Sequence, residues 1–259
     1  MKHVMGLREK SKLERRERIL AAAQELIRDT GSIGMSMRAL ARKAEVSLAT
    51  PYNLFGSKGA VLHELRLSVL EKLQREMDQL RSSDPLEDLL RIAELGARTY
   101  ASDPRFYRIL MGALMASNIG IHDGDLAGGA VTLWQRPVEA AISAGLLRAD
   151  ADARFVARDL VISFLGVLDL WVREVLDGEG LRSQILYAFT LTLLGLSTNA
   201  SRPRLLEHYH RFQSELPSKI REVETPPFAD KVTQPAGPVN GGIAGSKTSR
   251  LGETELPEA

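Results

Sequence analysis

Residues 36–62 read SMRALARKAEVSLATPYNLFGSKGAVL and carry the strongest structural signal of the chain. Apolar residues recur at helical spacing in two short segments, and a short turn separates them. Ser36 is placed to cap the first of these helices, and Ser47 is placed to cap the second. Two short helices joined by a tight turn are typical of a helix-turn-helix, which places side chains in the major groove of DNA. We therefore predict a DNA-reading unit here.

The second of these two helices is the one expected to enter the groove, because side chains near the start of a recognition helix reach base edges. Tyr52 can donate a hydrogen bond to a phosphate oxygen, and Asn53 carries both a donor and an acceptor, which suits an adenine edge. Lys58 begins the next helix, where charge and free backbone N–H groups favour a phosphate. The residues predicted to contact DNA are Ser36, Arg38, Ser47, Leu48, Thr50, Tyr52, Asn53 and Lys58.

The charge of the chain is unevenly distributed. Residues 1–60 hold 12 Lys and Arg against 6 Asp and Glu, although the net charge of the whole chain is only +1. A basic N-terminal part on an acidic remainder fits a module that seeks phosphates. The chain has no cysteine, which excludes disulfides and thiolate zinc sites, and no apolar signal segment opens it. We expect a cytoplasmic protein.

The remaining ordered segments show helical periodicity and no strand pattern, so we predict an all-α protein. Four parts are expected: a basic flexible leader over 1–13, a three-helix DNA-binding domain over 14–63, a larger helical domain over 64–216, and a disordered tail over 217–259. The tail holds six of the 11 prolines and a single aromatic residue, a composition typical of disorder.

Two segments of the larger domain, near 152–177 and 182–199, are strongly apolar. The first has apolar residues on nearly every face, and a helix of that kind must be covered on all sides. A second copy of the chain would cover it, so we predict a homodimer through these two helices. The uncharged run over 183–201 is too rich in polar residues, and its dense apolar part too short, for a membrane span. No membrane partner is expected.

The motif over 36–62 resembles the DNA-binding domain of the TetR family of bacterial one-component transcription regulators. The matching positions are Ser36, Arg38, Leu40, Ala41, Ala44, Val46, Ser47, Ala49, Thr50, Tyr52, Phe55, Ser57, Lys58 and Leu62. The chain departs from the family pattern at three places. Glu45 stands where the family prefers glycine, which predicts a strained turn, and Pro51 and Leu54 replace the usual residues.

The resemblance implies a ligand-binding and dimerisation domain after the DNA-binding domain. It also implies a homodimer on a near-palindromic operator of double-stranded DNA, and a repressor that a small apolar or amphipathic molecule releases. The ligand pocket would then lie between residues 85 and 176, where aromatic rings and flexible methionines suit such a ligand. The side chains predicted to line it are Tyr100, Phe106, Tyr107, Met111, Met115, Trp134, Phe164 and Trp171.

Two other classes of protein stay open at this point. One is an all-helical enzyme with an incidental helix-turn-helix, although no nucleophile–base pair or paired carboxylates can be identified, so no catalytic residue is predicted. The other is a DNA-packaging protein of low specificity. His208 and His210 are two apart on a helix and face different sides, and the run GGIAGSKT over 241–248 lacks the context of a phosphate loop. We predict neither a metal site nor a cofactor.

Overall fold

Three helices form the N-terminal part of the chain, which we call the head: α1 Leu7–Thr30, α2 Met37–Lys43 and α3 Ala49–Phe55. The computed structural model describes residues 6–80, 82–116 and 124–216. α1 ends at Gly31, whose φ of 65° is the left-handed conformation that glycine adopts freely. α2 begins where the Ser36 hydroxyl accepts a hydrogen bond from the backbone N–H of Ala39 at 3.1 Å, as the sequence predicts. The apolar faces of the three helices meet in a small core.

α1 begins earlier than the sequence analysis expects. We predicted a flexible leader up to residue 13, but the helix starts at Leu7, and residues 1–5 lie outside the described part of the chain. The physical reason is composition, because residues 7–18 are mostly Leu, Lys, Arg and Glu, which rank among the best helix formers. The basic residues of this stretch therefore project from a helix.

Among the described residues, seven further helices form the second part, which we call the body. They are α4 Lys58–Leu80, α5 Pro85–Ala101, α6 Pro104–Ala116, α7 Gly124–Ser143, α8 Ala153–Val172, α9 Gly178–Gly195 and α10 Arg202–Glu215. Asp84 caps α5 by accepting hydrogen bonds from the N–H groups of Leu86 and Glu87. Asp152 and Asp177 cap α8 and α9 in the same way. The described residues thus confirm an all-α protein with a small head and a larger body.

The centre of the body is formed by α5, α7, α8 and α9, which pack against one another. Its largest fully buried side chains include Trp171, Phe189 and Leu160. α6 packs on α8 and α4 of the body and also contacts α1, so it joins the body to the head. α10 packs on the outer side of α9, where Arg182 of α9 forms ion pairs with Glu94 at 2.8 Å and Glu215 at 2.9 Å.

Two turns of the body are hydrogen-bonded to each other. The turn after α7 and the turn after α9 meet where the N–H of Arg148 donates to the carbonyl of Leu196 at 2.9 Å. The hydroxyl of Ser201 donates to the carbonyl of Leu146 at 2.5 Å, and the hydroxyl of Thr198 donates to the carbonyl of Gly145 at 2.8 Å. We call this the two-turn corner.

One predicted feature, the disordered tail over 217–259, lies outside the described residues. Within the described ranges, no helix is both long and apolar enough to cross a membrane.

Candidate nucleic-acid interface and ligand cavity

The eight residues predicted to contact DNA lie on α2, on the turn after it, on α3 and at the start of α4. Ser36, Arg38, Ser47, Leu48, Tyr52 and Asn53 are exposed, and Thr50 and Lys58 are half-buried. Tyr52 and Leu48 are among the most exposed large side chains of the described chain, at 52% and 46% of their full area. The structure therefore leaves six of the eight predicted side chains exposed to solvent, on α2, on the turn after it and on α3.

α3 presents its polar side outward because its other side packs on the head. Pro51 is buried, whereas Tyr52 and Asn53, the next two residues, are exposed. We expected Ser47 to cap α3 through its side chain, and that expectation is wrong. The Ser47 hydroxyl instead lies 2.8 Å from the Thr50 hydroxyl, and the carbonyl of Ser47 accepts from the N–H of Thr50 at 2.9 Å.

The turn between α2 and α3 is strained, as the sequence predicts. Glu45 has a φ of 53°, in the left-handed region that a side chain with a Cβ adopts at a cost of roughly 1–2 kcal/mol. The N–H of the next residue, Val46, donates back to the carbonyl of Ala41 at 3.0 Å, which closes the turn. The glutamate thus sits in a backbone conformation suited to glycine.

The cations of this surface divide into two groups. Lys43 is held by Glu25 at 2.9 Å and Asp29 at 3.6 Å, and these carboxylates raise its pKa. Arg38 and Lys58 form no ion pair with any described residue. Lys58 follows Ser57, whose hydroxyl accepts from the N–H of Ala60 at 3.1 Å and so caps α4. Arg38 and Lys58 are therefore available to an external anion.

Arg16 has an internal role. Its guanidinium lies 4.8 Å from the centre of the Phe55 ring and 2.5 Å from the carboxylate of Glu64, and it donates to the carbonyl of Leu54 at 3.3 Å. One side chain of α1 thus ties the end of α3 to α4. This fixes the direction in which α3 points.

The comparisons with known proteins agree with this geometry. Residues 19–65 match the family model described as "Bacterial regulatory proteins, tetR family". Residues 19–65 form a TetR-family DNA-binding domain. Their match contains the exposed residues of α2 and α3 and the strained turn between these helices. No curated protein sequence matches the chain.

Several solved structures share the fold of the TetR-family domain and body together. The repressor SmeT of the Stenotrophomonas maltophilia multidrug efflux pump SmeDEF is 23% identical, with a TM-score of 0.57 over 72% of this chain and 92% of that chain. A SmeT–triclosan complex is 24% identical, with a TM-score of 0.54 over 72% of this chain and 93% of that chain. A TetR-family regulator from Pectobacterium atrosepticum is 22% identical, with a TM-score of 0.59 over 73% of this chain and 97% of that chain. At these identities the likeness shows that the chain has the fold of TetR-family transcriptional regulators.

The body behind the TetR-family domain contains two adjoining spaces. The first, which we call the inner cavity, has a volume of about 40 Å³ and lies among α4, α5, α7 and α8. The second, which we call the outer cleft, has a volume of about 250 Å³ and lies among α4, α5 and α7. Met77, Ile92 and Leu133 line both spaces, so these three side chains form the wall between them.

Three of the eight residues predicted to line a ligand pocket line the inner cavity: Tyr100, Trp134 and Phe164. Their rings are neighbours, since the centre of the Phe164 ring lies 5.9 Å from that of Tyr100 and 6.5 Å from that of Trp134. Gly96 makes room for Phe164, because a Cβ there would come within 2.9 Å of the ring. An aromatic wall therefore bounds one side of the cavity.

The other five predicted pocket residues lie elsewhere in the body. Phe106, Tyr107 and Met111 are buried in α6, away from the lining of the two spaces, and Met115 is half-buried. Trp171 is 1% exposed, and the guanidinium of Arg108 covers its ring at 4.8 Å from the centre.

The inner cavity also has a lining residue that the sequence analysis missed. Arg66 of α4 is only 5% exposed, and burial lowers the pKa of its guanidinium. A signal for it exists in the sequence, because Leu62, Arg66, Val69 and Leu73 follow one another at helical spacing. Arg66 therefore occupies a position on the apolar stripe of α4, where a charged residue calls for an explanation.

α6 connects the wall of the cavity to the head. The ring of Tyr100 lies 5.2 Å from that of Tyr107 on α6, in an edge-to-face arrangement. At the start of α6, Asp103 accepts a hydrogen bond from Nε of Arg28 on α1 at 2.5 Å and one from the N–H of Phe106 at 3.2 Å. Asp103 therefore links the start of α6 directly to α1.

The outward sides of α8 and α9 carry large apolar side chains. Phe155, Ile162 and Leu170 of α8 are exposed to 65%, 55% and 39%, and Leu191 of α9 is exposed to 45%. Open space surrounds Gly166 on α8 and Gly195 at the end of α9. We call this the α8–α9 face. An exposed apolar set of this kind on two adjacent helices is typical of a surface that binds another protein.

Proposed function

We propose that the protein is a sequence-specific transcriptional repressor that binds DNA as a homodimer and leaves its operator when a small apolar or amphipathic molecule enters the body. The observation that carries this proposal is the TetR-family match over residues 19–65 on a head whose predicted DNA contacts are open to solvent. The steps from DNA contact to ligand response rest on separate features of the structure.

The DNA contacts divide by chemistry. Asn53 can read an adenine through its paired donor and acceptor, whereas Arg38, Tyr52 and Lys58 can hold phosphates. Phosphate contacts fix the orientation of the head, and contacts to base edges supply the sequence preference. The strained turn at Glu45 and the Arg16 contacts together set the angle of α3.

The ligand response would begin at the aromatic wall of the inner cavity. Because this space holds only about 40 Å³, and roughly 150 Å³ is needed to hold a benzene-sized molecule, a ligand must displace side chains of the wall. Movement of Tyr100 would reach Tyr107 on α6, and through Asp103 it would reach Arg28 on α1. The SmeT–triclosan complex supports this proposal, because a protein of this fold forms a complex with a small molecule.

The homodimer would form through the α8–α9 face. This places the predicted interface on the two helices that the sequence singles out as most apolar. A pair of identical interfaces related by a two-fold axis presents two heads with the same symmetry. Such a pair fits two half-sites of a near-palindromic operator.

The test is selection of bound sequences from random duplex DNA with the purified full chain at physiological salt. Recovery of a palindrome is the expected result. An Asn53→Ala variant serves as the matched control, because it should return a motif with one degenerate base pair in each half-site. A selection that recovers no motif, while the protein still binds DNA with a steep loss in salt, would overturn sequence-specific regulation and favour DNA packaging.

A further inference from the structure

The two spaces of the body differ in the charge of their walls. The outer cleft is lined by two arginines and two aspartates: Asp78, Asp88, Arg91 and Arg136. Its charges therefore balance. The inner cavity is lined by apolar and aromatic side chains and by a single charged group, the guanidinium of Arg66, with no acidic side chain among the described lining residues.

The charge of Arg66 acts strongly because little water reaches it. Its side chain is 5% exposed, and the neighbouring Tyr100 is 4% exposed. A charge in such surroundings interacts with an entering ion much more strongly than a surface charge does. An anion would be attracted and a cation repelled, and Arg presents donors in a planar fork that matches a carboxylate.

The polar corner of the cavity has a second member. Tyr100 lines the same space as Arg66, and the two side chains interact electrostatically. Burial raises the pKa of Tyr100 to about 12, so its hydroxyl keeps its proton at neutral pH and is able to donate a hydrogen bond. The remaining wall is apolar, with Leu70, Leu73 and Val161 among its members.

We propose that the inner cavity selects an amphipathic monoanion, with its acidic group at Arg66 and Tyr100 and its apolar chain directed toward Met77. This inference rests on the proposed ligand response and names its chemical class. The chain of the ligand would pass between Met77, Ile92 and Leu133 into the outer cleft. Met77 is the flexible member of that wall, because an unbranched thioether changes conformation easily.

The experiment uses three probes of equal chain length: decanoate, decan-1-ol and decylammonium. Binding to the full chain is measured by calorimetry and by tryptophan fluorescence, to which Trp134 in the cavity wall contributes. The expected order of affinity is decanoate, then decan-1-ol, then decylammonium. A charge-assisted hydrogen bond predicts about a ten-fold or greater preference for decanoate over decan-1-ol.

Two variants assign the preference to Arg66. Arg66→Met keeps an unbranched apolar stem and removes the charge, so it should lower decanoate affinity by about ten-fold or more and leave decan-1-ol affinity unchanged. Arg66→Lys keeps the charge and should retain part of the preference, which guards against a folding defect in the first variant. Arg136→Met in the outer cleft is the matched control and should leave the preference intact.

Three results would overturn the inference. They are equal affinity for decanoate and decan-1-ol, a preference that survives in Arg66→Met, or a preference lost in Arg136→Met, which would place the acidic group in the outer cleft. The failure of this inference is separable from that of the proposed function. A palindrome recovered in the DNA selection without decanoate binding would sink only the ligand class, and decanoate binding that depends on Arg66 without a palindrome would sink only the regulator.

Discussion

The head and the body use the same two kinds of polar side chain in opposite surroundings. In the head, Arg38 and Tyr52 are exposed to solvent. In the body, Arg66 and Tyr100 are only 5% and 4% exposed and line one cavity. Water screens the first pair, so these two side chains suit a long, strongly charged partner that makes many weak contacts. Water hardly screens the second pair, so its electrostatic interaction with one small bound ion is strong.

Specificity therefore has a different source in each region. In the head, one phosphate contact adds affinity for any DNA, and only a contact to a base edge discriminates. In the body, a single charge suffices to discriminate between ligands. A ligand of the wrong charge would be buried without a partner of opposite charge, which is costly. Four measurements test whether the two regions differ in this way.

The largest effect concerns Tyr100 at alkaline pH. Below about pH 10 its hydroxyl is protonated in both the folded and the unfolded chain. Between pH 10 and its folded pKa of about 12, the unfolded chain releases the proton and the folded chain keeps it, so stability falls as pH rises, by roughly 3 kcal/mol in all. Urea unfolding at several pH values measures this loss, and Tyr100→Phe should reduce it by the part that Tyr100 contributes. Phe164→Leu alters the same wall but removes no hydroxyl, so this control should keep the loss of stability at alkaline pH. An identical pH profile for Tyr100→Phe and the parent would contradict the assignment of the loss to Tyr100.

The second effect separates base reading from phosphate binding in the head. Asn53→Ala should cost ~1–3 kcal/mol of discrimination at one base pair, whereas Lys58→Ala should weaken binding to every sequence and lower the slope of affinity against salt by about 1. Fluorescence anisotropy on the selected operator and on single-base variants measures both. If Asn53→Ala loses the same affinity for every DNA sequence, Asn53 has no part in base reading.

The third effect compares two glutamates that adopt left-handed conformations, Glu45 in the head and Glu174 in the body, with φ values of 53° and 63°. Glu45→Gly should stabilise the chain by about 1 kcal/mol, because it relieves a strained conformation. Glu174→Gly should gain less, since the carboxylate of Glu174 accepts a hydrogen bond from Arg108 at 3.0 Å. Thermal unfolding checks both variants, and a larger gain at Glu174 would show that the Arg108 contact contributes little.

The smallest effect concerns the contact between the two regions. A double-mutant cycle with Arg28→Gln and Asp103→Asn is measured on the free energy of operator binding. It should give a coupling energy of roughly 0.5–1 kcal/mol, because the pair is only partly buried. Asn at position 103 keeps an oxygen for the N–H of Phe106, so the start of α6 is preserved. The exposed pair Arg148 and Asp150, within one turn of the body, is the control and should leave the affinity for the operator unchanged. A cycle at Arg28 and Asp103 without coupling would remove this pair from the route between cavity and DNA.

Much of the head could be predicted from the sequence, because local signals determine it. Ser36 caps α2 and Gly31 ends α1, and both roles depend on nearby backbone groups. The caps of α5 and α8 at Asp84 and Asp152 follow from the same local chemistry. The start of α1 at Leu7 differs from the predicted leader over 1–13, because Lys, Arg and Glu are good helix formers and extend the helix toward the N-terminus.

The lining of the cavity could be predicted only in part, because it depends on which helices meet. Tyr100, Trp134 and Phe164 come from three different helices and line one space. Helical spacing shows that a residue faces inward, but it does not distinguish a cavity wall from close-packed core, and Phe106 and Trp171 are core. Arg66 was detectable from the apolar stripe of α4. Its partner residues in the cavity were not, since they lie far away in sequence.

The two-turn corner has a consequence for proteolysis. Turns are the usual places at which proteases cut a folded chain, and Arg148 is an exposed residue that trypsin recognises. Cleavage there requires the chain to detach from Leu196, and the same movement would strain the Ser201 and Thr198 contacts. The turn after α7 is therefore protected by the turn after α9, and a protease should reach Arg148 only when α8 and α9 loosen together.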